Sequence, residues 1–491
     1  YLIVDNTTTQ SQLESGAEVV AHEIAHQWTG NFITCKWWSH LWMNEGFATF
    51  LETLSLDAIH PEFNRWQAKL TNSIQPALLV DALSSSHPIV NTADSPSEIE
   101  DVFDSITYDK GGAFLYMLHS AIGAEQFKSW MRAYFKKHQY TNAETSDLFQ
   151  VLVDTVPGAP SLSQLQSWTM NAGFPLITVR EDGGQYSVEQ KRFFSGKRNV
   201  TEDSSSDPVW WVPISIVSPD GKKTRFDLVD QKKSNALNIP SGSWIKLNAG
   251  QTGFYRVNYP TNLWVSLFKE IRNQNQLFTV GDRFGLVDDI FALGFAGELS
   301  ITAAMRIVPD LKNEVSFSIW DALLSHLSRI SGLIAKESFH NNFNRLVIDL
   351  VKNRYEQIGW DSRESDTNDD TKLRPLLLSA MTTANHEGAM NEALTRFDKF
   401  ITDEQENNIS PDIRLSIYKT VVRERGEVGY HQIFNRLQAA SNTSDFNEFS
   451  RCMYALAFAK DPSLIKTTLE MSLSPIIRSQ DTVYLIREVS R

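Results

Sequence analysis

Four residues near the start of the chain have the types and spacing of a metal-dependent hydrolytic site. His22, Glu23 and His26 lie in the sequence His-Glu-Ile-Ala-His, and Glu45 follows nineteen positions after the second histidine. On an α-helix, histidines four positions apart share one face and are separated by one turn. Two imidazoles and one carboxylate form a three-ligand zinc set that leaves a fourth position open for water, as in catalytic zinc sites. We therefore predict that His22, His26 and Glu45 hold one Zn²⁺ per chain.

A chance occurrence of this pattern has to be weighed against metal binding. H-E-x-x-H alone arises by chance in long sequences, and a hydrogen-bonded pair of core histidines is then the alternative. The later glutamate stands in the sequence Asn-Glu-Gly-Phe-Ala, on a second helix-like run, which favours metal ligation. Zinc bound by cysteines is excluded because Cys35 and Cys452 are too far apart for a zinc-finger pattern.

Further carboxylates next to the predicted ligands suggest supporting roles. Glu52 lies seven positions after Glu45, which is two turns along the same helix face. We predict that it hydrogen-bonds a zinc-bound imidazole and fixes the tautomer of that ring, the alternative being a solvated helix charge. Glu23 is adjacent to a ligand and cannot share its direction, so we predict that it faces the water and acts as the general base.

Six segments of the chain, spread over most of its length, carry a resemblance to a known family. They read HEIAHQWTGN from His22, LWMNEGFATF from Leu41, ITYDKGGAFLYML from Ile106, GFPLITV from Gly173, TGFYRVNY from Thr252 and DRFGLVDDIFAL from Asp282. In this order they resemble the gluzincin zinc aminopeptidases of the aminopeptidase N type. The segments SSHPI, SEIEDVFDSITYDKG and RSQDTV are most similar to the puromycin-sensitive branch of that family.

The resemblance implies further residues and a reaction. It implies that Tyr108 is the catalytic tyrosine that stabilises the oxyanion, and that the parent protein hydrolyses the N-terminal peptide bond of peptides with a free N-terminus. The family binds the substrate amine with a Gly-x-Met-Glu-Asn motif, which is absent from this sequence. We therefore expect the chain to be a fragment that lacks this motif, the N-terminal β domain and the C-terminal end. Two alternatives stay open: a membrane-anchored ectoenzyme or receptor of the same family, and a truncated fragment that binds zinc and peptide without turnover.

The predicted fold class is multidomain and mainly α. Residues 1–172 are expected to be the C-terminal part of a thermolysin-like catalytic domain, and residues 173–260 a small β-sandwich, since short alternating strands replace the helical pattern there. Residues 261–491 are expected to form an incomplete, solenoid-like helical domain, an interpretation that depends on the resemblance. The first active-site helix is predicted from Glu14 to Thr29, with its apolar residues, among them Val20, Ile24 and Trp28, packed into a core.

The composition of the chain limits the classes of partner and the cellular compartments that can be expected. The formal net charge of −13 argues against nucleic acid as a partner. No apolar run reaches the length of about 18 residues that a transmembrane helix needs. Two cysteines cannot make a disulfide framework, so a cytoplasmic location is expected, with a plasma-membrane ectoenzyme anchored by other segments as the alternative.

Overall fold

The chain is mainly helical and divides into two compact units, Ala17–Leu323 and Tyr1–Gly16 with Leu324–Arg491. The computed structural model describes residues 4–182, 185–196, 207–228, 232–234, 237, 244–443 and 445–490. The mainly α, multidomain fold class is therefore confirmed. The predicted domain boundaries at 172/173 and 260/261 stay predictions, although the secondary structure changes type near both positions.

The described part of the first unit is helical near both ends, with six of its strands together at 175–258. Its α-helices are α1 (Gln10–Ala25, shared with the second unit), α2 (Trp42–Ile59), α3 (Arg65–Lys69), α4 (Gln75–Asp81), α5 (Pro96–Asp101), α6 (Gly111–Ile122), α7 (Ala124–His138), α8 (Thr145–Thr155), α9 (Leu162–Thr169), α10 (Thr261–Arg272), α11 (Val280–Ala296) and α12 (Ile301–Ile307). Its strands are β1 (Thr34–Cys35), β2 (Asn142–Ala143), β3 (Pro175–Asp182), β4 (Gln185–Arg192), β5 (Val212–Val217), β6 (Lys223–Leu228), β7 (Lys246–Leu247) and β8 (Arg256–Asn258). Two π-helical segments, Leu70–Ile74 and Ile106–Lys110, interrupt the helices around α3 and α6.

A buried aromatic core lies under helices α2 and α6. Trp42, Phe47 and Phe114 are almost completely buried, and the ring of Trp42 lies 6.2 Å from that of Phe47 and 6.0 Å from that of Phe114. The sequence predicts this helix from about Leu41 to Ala58, and α2 spans nearly that range. It ends before Pro61, whose ring lacks the N–H that would continue it. This core fixes the helix that carries Glu45.

The apolar face predicted for α1 is wrong for its large side chains, although Ala25 on that face is buried. Val20, Ile24 and Trp28 are 42%, 55% and 50% exposed. The helix turns a polar face inward instead, because Glu18 pairs with the buried guanidinium of Arg65 and His22 hydrogen-bonds a buried carboxylate on α2. Charged partners on neighbouring helices, which periodicity cannot show, therefore decide the orientation of α1.

Within its described residues, the β region contains two three-stranded sheets. In one sheet the order is β4-β3-β8, with β3 antiparallel to β4 and parallel to β8; in the other the order is β6-β5-β7 and all pairs are antiparallel. The sequence Glu-Asp-Gly-Gly at 181–184 predicts a hairpin turn. Strands β3 and β4 form this hairpin, with Asp182 paired to Gln185 and the turn at 183–184 outside the described residues. Alternation of buried and exposed side chains along β4 accounts for its recognition from sequence.

The second unit is helical throughout its described part. It contains most of α13 (Phe317–Leu333), followed by α14 (His340–Ile358), α15 (Asn368–Thr383), α16 (Glu387–Thr402), α17 (Pro411–Thr443), α18 (Phe446–Leu456), α19 (Pro462–Ser472) and α20 (Thr482–Val489). Phe397, Ile417 and Ile433 are fully buried in its core. Helix α17 is broken at Gly426, which has φ 56° and ψ −130°.

A fully buried ion pair ties the segment before α6 to the start of the β region. Lys110 Nζ lies 2.8 Å from Asp81 Oδ2 and donates to the carbonyl of Gly173 at 3.0 Å, while the Gly173 N–H donates to Asp81 Oδ1 at 2.8 Å. Both charged side chains have no exposed surface. Removal of either partner would leave a charge buried without compensation.

We expect Lys110→Met to destabilise the first unit by about 3–5 kcal/mol, because the Asp81 carboxylate then stays buried and unpaired. Urea denaturation followed by circular dichroism measures the change in the midpoint. Lys191→Met is the matched control, since its ion pair with Glu298 is 49% and 32% exposed and its loss should shift the midpoint little. Equal midpoints for the two variants would contradict the stabilising role of the buried pair.

Candidate metal centre

Three potential ligand atoms converge on one point between α1 and α2. His22 Nε2 and His26 Nε2 each lie 3.2 Å from Glu45 Oε2, and the two nitrogens lie 3.1 Å from each other. Tetrahedral ligands at zinc distances of about 2.0–2.1 Å are separated by about 3.3 Å, so the three atoms have nearly the spacing that such an ion requires. The structure thus brings together the three residues predicted as metal ligands.

The hydrogen bond made by Nδ1 of each histidine shows that Nε2 is the nitrogen available to bind a cation. His22 Nδ1 lies 2.7 Å from Glu52 Oε2, and His26 Nδ1 lies 2.9 Å from the carbonyl oxygen of Thr29. Carboxylate and carbonyl oxygens only accept hydrogen bonds, so each Nδ1 carries a proton and donates it. When each ring is neutral, its Nε2 lone pair therefore points at the shared centre, which is the arrangement that suits a cation.

The charges at this centre shift the pKa values of all three groups. Burial alone would lower the pKa of His22, but hydrogen bonds with Glu45 and Glu52 outweigh it and raise the pKa to about 9. The hydrogen bond with Glu45 likewise raises the pKa of His26. Burial would raise the pKa of Glu45, yet the two histidines hold it at about 2. Protons therefore occupy the site in the absence of a cation and compete with one.

Helix α1 ends at Ala25, one residue before the second histidine and four residues before the predicted end at Thr29. The predicted range reached Thr29, but the helix ends at Ala25 and His26 lies in the following turn, with its N–H still bonded to the His22 carbonyl at 3.2 Å. Gly30 has φ +140°, and a Cβ atom there would lie 3.2 Å from His26 Nδ1. The glycine thus allows the turn in which the Thr29 carbonyl reaches the imidazole.

Close helix packing brings Glu45 next to the segment that carries Tyr108. A Cβ atom on Gly46 would lie 3.0 Å from the carbonyl carbon of Gly111 and 3.2 Å from the carbonyl oxygen of Thr107. The two glycines therefore allow the backbones of α2 and of the π-helical segment Ile106–Lys110 to touch. A Gly-Gly pair, such as the one after Lys110, predicts close approach of another backbone, and the structure shows this approach at Gly111.

Tyr108 lies beside the three converging atoms. Its ring stacks on that of His22 with centroids 6.0 Å apart and an angle of 10° between the planes. Burial, together with the negative charges of Glu45 and Glu23, raises the pKa of the Tyr108 hydroxyl. The hydroxyl therefore stays protonated at neutral pH and can donate a hydrogen bond.

Glu23 is exposed and lies in a cleft that also contains His22, Tyr108, Glu52 and Phe103. It neighbours a ligand in sequence but its side chain is outside the cluster of three converging atoms. The cleft thus places a candidate base, Glu23, a hydrogen-bond donor, Tyr108, and one of the three candidate ligands, His22, around one volume.

Several supporting residues could not be inferred from the sequence. Asp104 Oδ1 accepts hydrogen bonds from the N–H groups of Ile106 and Thr107, and its Oδ2 lies 2.9 Å from His87 Nε2. Asp104 thereby caps the segment that carries Tyr108. The only signal in the sequence is an Asp two residues before an apolar run, which is common at helix starts.

Two family models match the chain. Residues 1–168 match the peptidase family M1 domain, and residues 244–491 match the ERAP1-like C-terminal domain. The first match contains all residues of the candidate centre.

Curated relatives match nearly the whole chain. Aminopeptidase M1-B of Oryza sativa subsp. japonica is 34% identical over 505 residues, covering 98% of this chain and 56% of that protein. Alanine/arginine aminopeptidase of Saccharomyces cerevisiae is 32% identical over 489 residues, covering 98% and 56%. Puromycin-sensitive aminopeptidase of Caenorhabditis elegans is 32% identical over 501 residues, covering 99% and 51%. The chain spans about half the length of the curated relatives that it matches.

We expect the affinity for Zn²⁺ to rise with pH up to about 9, the pKa of His22, and to level off above it. The sign follows from the raised pKa: below that value a proton sits on His22 and must leave before the nitrogen can bind a cation. Each histidine that loses a proton contributes about tenfold in affinity per pH unit. Competition with a chromophoric chelator between pH 6 and 10 measures the zinc affinity of the chain, with the chelator's own proton affinity taken into account. An affinity that does not change between pH 6 and 8 would contradict the assignment.

Proposed function

We propose that this chain, which belongs to the M1 peptidases with an ERAP1-like C-terminal domain, carries the zinc-dependent catalytic centre of an aminopeptidase. The observation that carries the proposal is the convergence of His22, His26 and Glu45, with both distal ring nitrogens already bonded. The donor set fits zinc, because two imidazoles and a carboxylate are typical of catalytic zinc and leave one position open.

The chain's own residues supply the proton transfers and charge stabilisation that peptide hydrolysis needs. A zinc ion at this centre would polarise the scissile carbonyl and acidify a water molecule. Glu23 takes the proton from the attacking water and delivers it to the leaving amine. Tyr108 donates a hydrogen bond to the oxyanion that develops on the carbonyl oxygen. Glu52 keeps His22 in the tautomer whose Nε2 lone pair faces the centre.

Selectivity for a free N-terminus is the part of the proposal that concerns the whole protein. The substrates are peptides with a free α-amino group, as the resemblance implies, and the acidic motif that binds this group in the family is absent from this sequence. Turnover of aminoacyl substrates by this chain would mean that residues of the chain bind the amine. Zinc binding without turnover would support the alternative of a zinc- and peptide-binding fragment.

We also propose the types of the domains and the cellular compartment of the protein. The helices that surround the centre would be the second part of a thermolysin-like domain, the two sheets a β-sandwich and the second unit a solenoid-like domain. The described residues contain no helix that is both long and apolar enough to span a membrane. A cytoplasmic location follows the puromycin-sensitive resemblance, and localisation of the full-length protein in cells would distinguish it from an anchored ectoenzyme.

Glu23→Gln should lower kcat by about 10²–10⁴-fold, because the amide cannot accept the proton of water. The measurement is hydrolysis of aminoacyl fluorogenic substrates by the full chain and by the variant, each with and without a zinc chelator. Zinc content should be unchanged, since Glu23 lies outside the ligand cluster. Chelator-sensitive turnover that persists undiminished in the variant would exclude Glu23 as the base.

Tyr108→Phe should lower kcat by about 10²–10³-fold with little change in KM, since the lost hydrogen bond is made mainly in the transition state. The variant keeps the ring that stacks on His22, so zinc affinity should match that of the parent chain. Tyr140→Phe is the control, because this tyrosine is 82% exposed and is not one of the residues that line the cleft. A fall in kcat of the same size in both variants would contradict the role of Tyr108.

A further inference from the structure

We propose that Lys69 is a positioning residue of the metal centre. Its ammonium group holds the Glu52 carboxylate in the orientation in which that carboxylate accepts the Nδ1–H of His22. The inference rests on the proposed function, because it takes His22 as a zinc ligand, and it adds a residue whose position in the sequence gives no indication of such a role.

Each carboxylate oxygen of Glu52 contacts a different side chain. Lys69 Nζ lies 2.8 Å from Oε1, and His22 Nδ1 lies 2.7 Å from Oε2. The side chains of Lys69 and Glu52 are only 9% and 8% exposed. A carboxylate this deeply buried needs a compensating charge to remain ionised, and it must be ionised to accept from the imidazole with full strength. Lys69 supplies that charge at hydrogen-bonding distance.

Lys69 ends the short helix α3 and is followed directly by the π-helical segment Leu70–Ile74. Within that segment, Ser73 Oγ donates to Asp109 Oδ1 at 2.6 Å, next to Tyr108. One short stretch of chain thus contacts the carboxylate partner of His22 at one end and the neighbour of the tyrosine at the other. π-helical turns are rare and frequently occur at functional sites, which agrees with this double contact.

A purely structural ion pair would behave differently from a positioning pair. Loss of a structural pair lowers stability but leaves the zinc affinity of the folded protein unchanged. Loss of a positioning pair weakens zinc binding in protein that is still folded, because the imidazole must then be oriented at the time of binding. Partners that orient metal-ligating histidines typically contribute 10–100-fold in metal affinity.

The test measures zinc affinity by chelator competition at one pH for the full chain and four variants: Lys69→Met, Glu52→Gln, the double variant of these two, and Lys69→Arg. Lys36→Met is the matched control, since Lys36 is 64% exposed and pairs with Glu144 on the surface. Circular dichroism melting without zinc establishes the folded fraction of each protein. The readout is metal affinity and not turnover.

We expect Lys69→Met and Glu52→Gln each to weaken zinc binding by about 10–100-fold. The double variant should be no weaker than the weaker single variant, because both act through one contact. Lys69→Arg should restore affinity to within a few-fold, since a guanidinium also pairs with a carboxylate. Lys36→Met should bind zinc as the parent chain does.

Folded Lys69→Met with parental zinc affinity would overturn the inference, as would losses that add in the double variant. If Lys69→Met does not fold, Lys69→Gln decides: the amide still donates to Glu52 but lacks the charge, so parental affinity in that variant overturns the inference and a loss of about tenfold or more supports it. Absence of zinc binding in the parent chain would instead contradict the proposed function itself.

Discussion

The structure of the site depends on one constraint, which is that two imidazole nitrogens and one carboxylate oxygen point at the same place. Such groups stay within 3.2 Å of one another only if a cation or protons neutralise them. The other ring nitrogen, Nδ1, already donates a hydrogen bond, from His22 to Glu52 and from His26 to the Thr29 carbonyl. The convergence is therefore fixed from outside the centre, in the arrangement that the proposed zinc site needs.

The packing around the centre follows from the need to bring three stretches of chain into contact. Helix α1 presents its polar face to α2, and the Gly46–Gly111 contact lets α2 touch the segment of Tyr108. That segment is held at its start by Asp104 and at its end by the buried Lys110. The tyrosine and the three candidate ligands thus lie on elements that contact one another directly, and in the proposed mechanism the hydroxyl would meet the developing charge without reorganisation of these elements.

Regular spacing in the sequence was enough to propose the candidate ligands. His22 and His26 are four positions apart at the end of α1, Glu45 and Glu52 are seven positions apart on α2, and the structure brings all four side chains together. Helix α2 and the hairpin of β3 and β4 were predictable for the same reason, since each has a clear periodicity and ends at a proline or a turn.

Other features depend on contacts between distant parts of the chain, which no local pattern shows. Lys69 appears in the sequence as an ordinary surface charge, although its side chain is buried against Glu52. The end of α1 at Ala25 follows from the turn at Gly30, and the exposed positions of Ile24 and Trp28 follow from charged partners that turn the opposite face inward.

The central claim, that the two histidines and Glu45 hold one zinc ion, is tested most directly by zinc K-edge X-ray absorption on the full chain loaded with one equivalent of zinc. We predict nitrogen and oxygen ligands at about 2.0–2.1 Å, with the outer-shell scattering of two imidazoles and no sulfur. The two-imidazole signal should be reduced in His26→Ala. Sulfur scattering at about 2.3 Å, or a spectrum that is the same in His26→Ala, would contradict the claim.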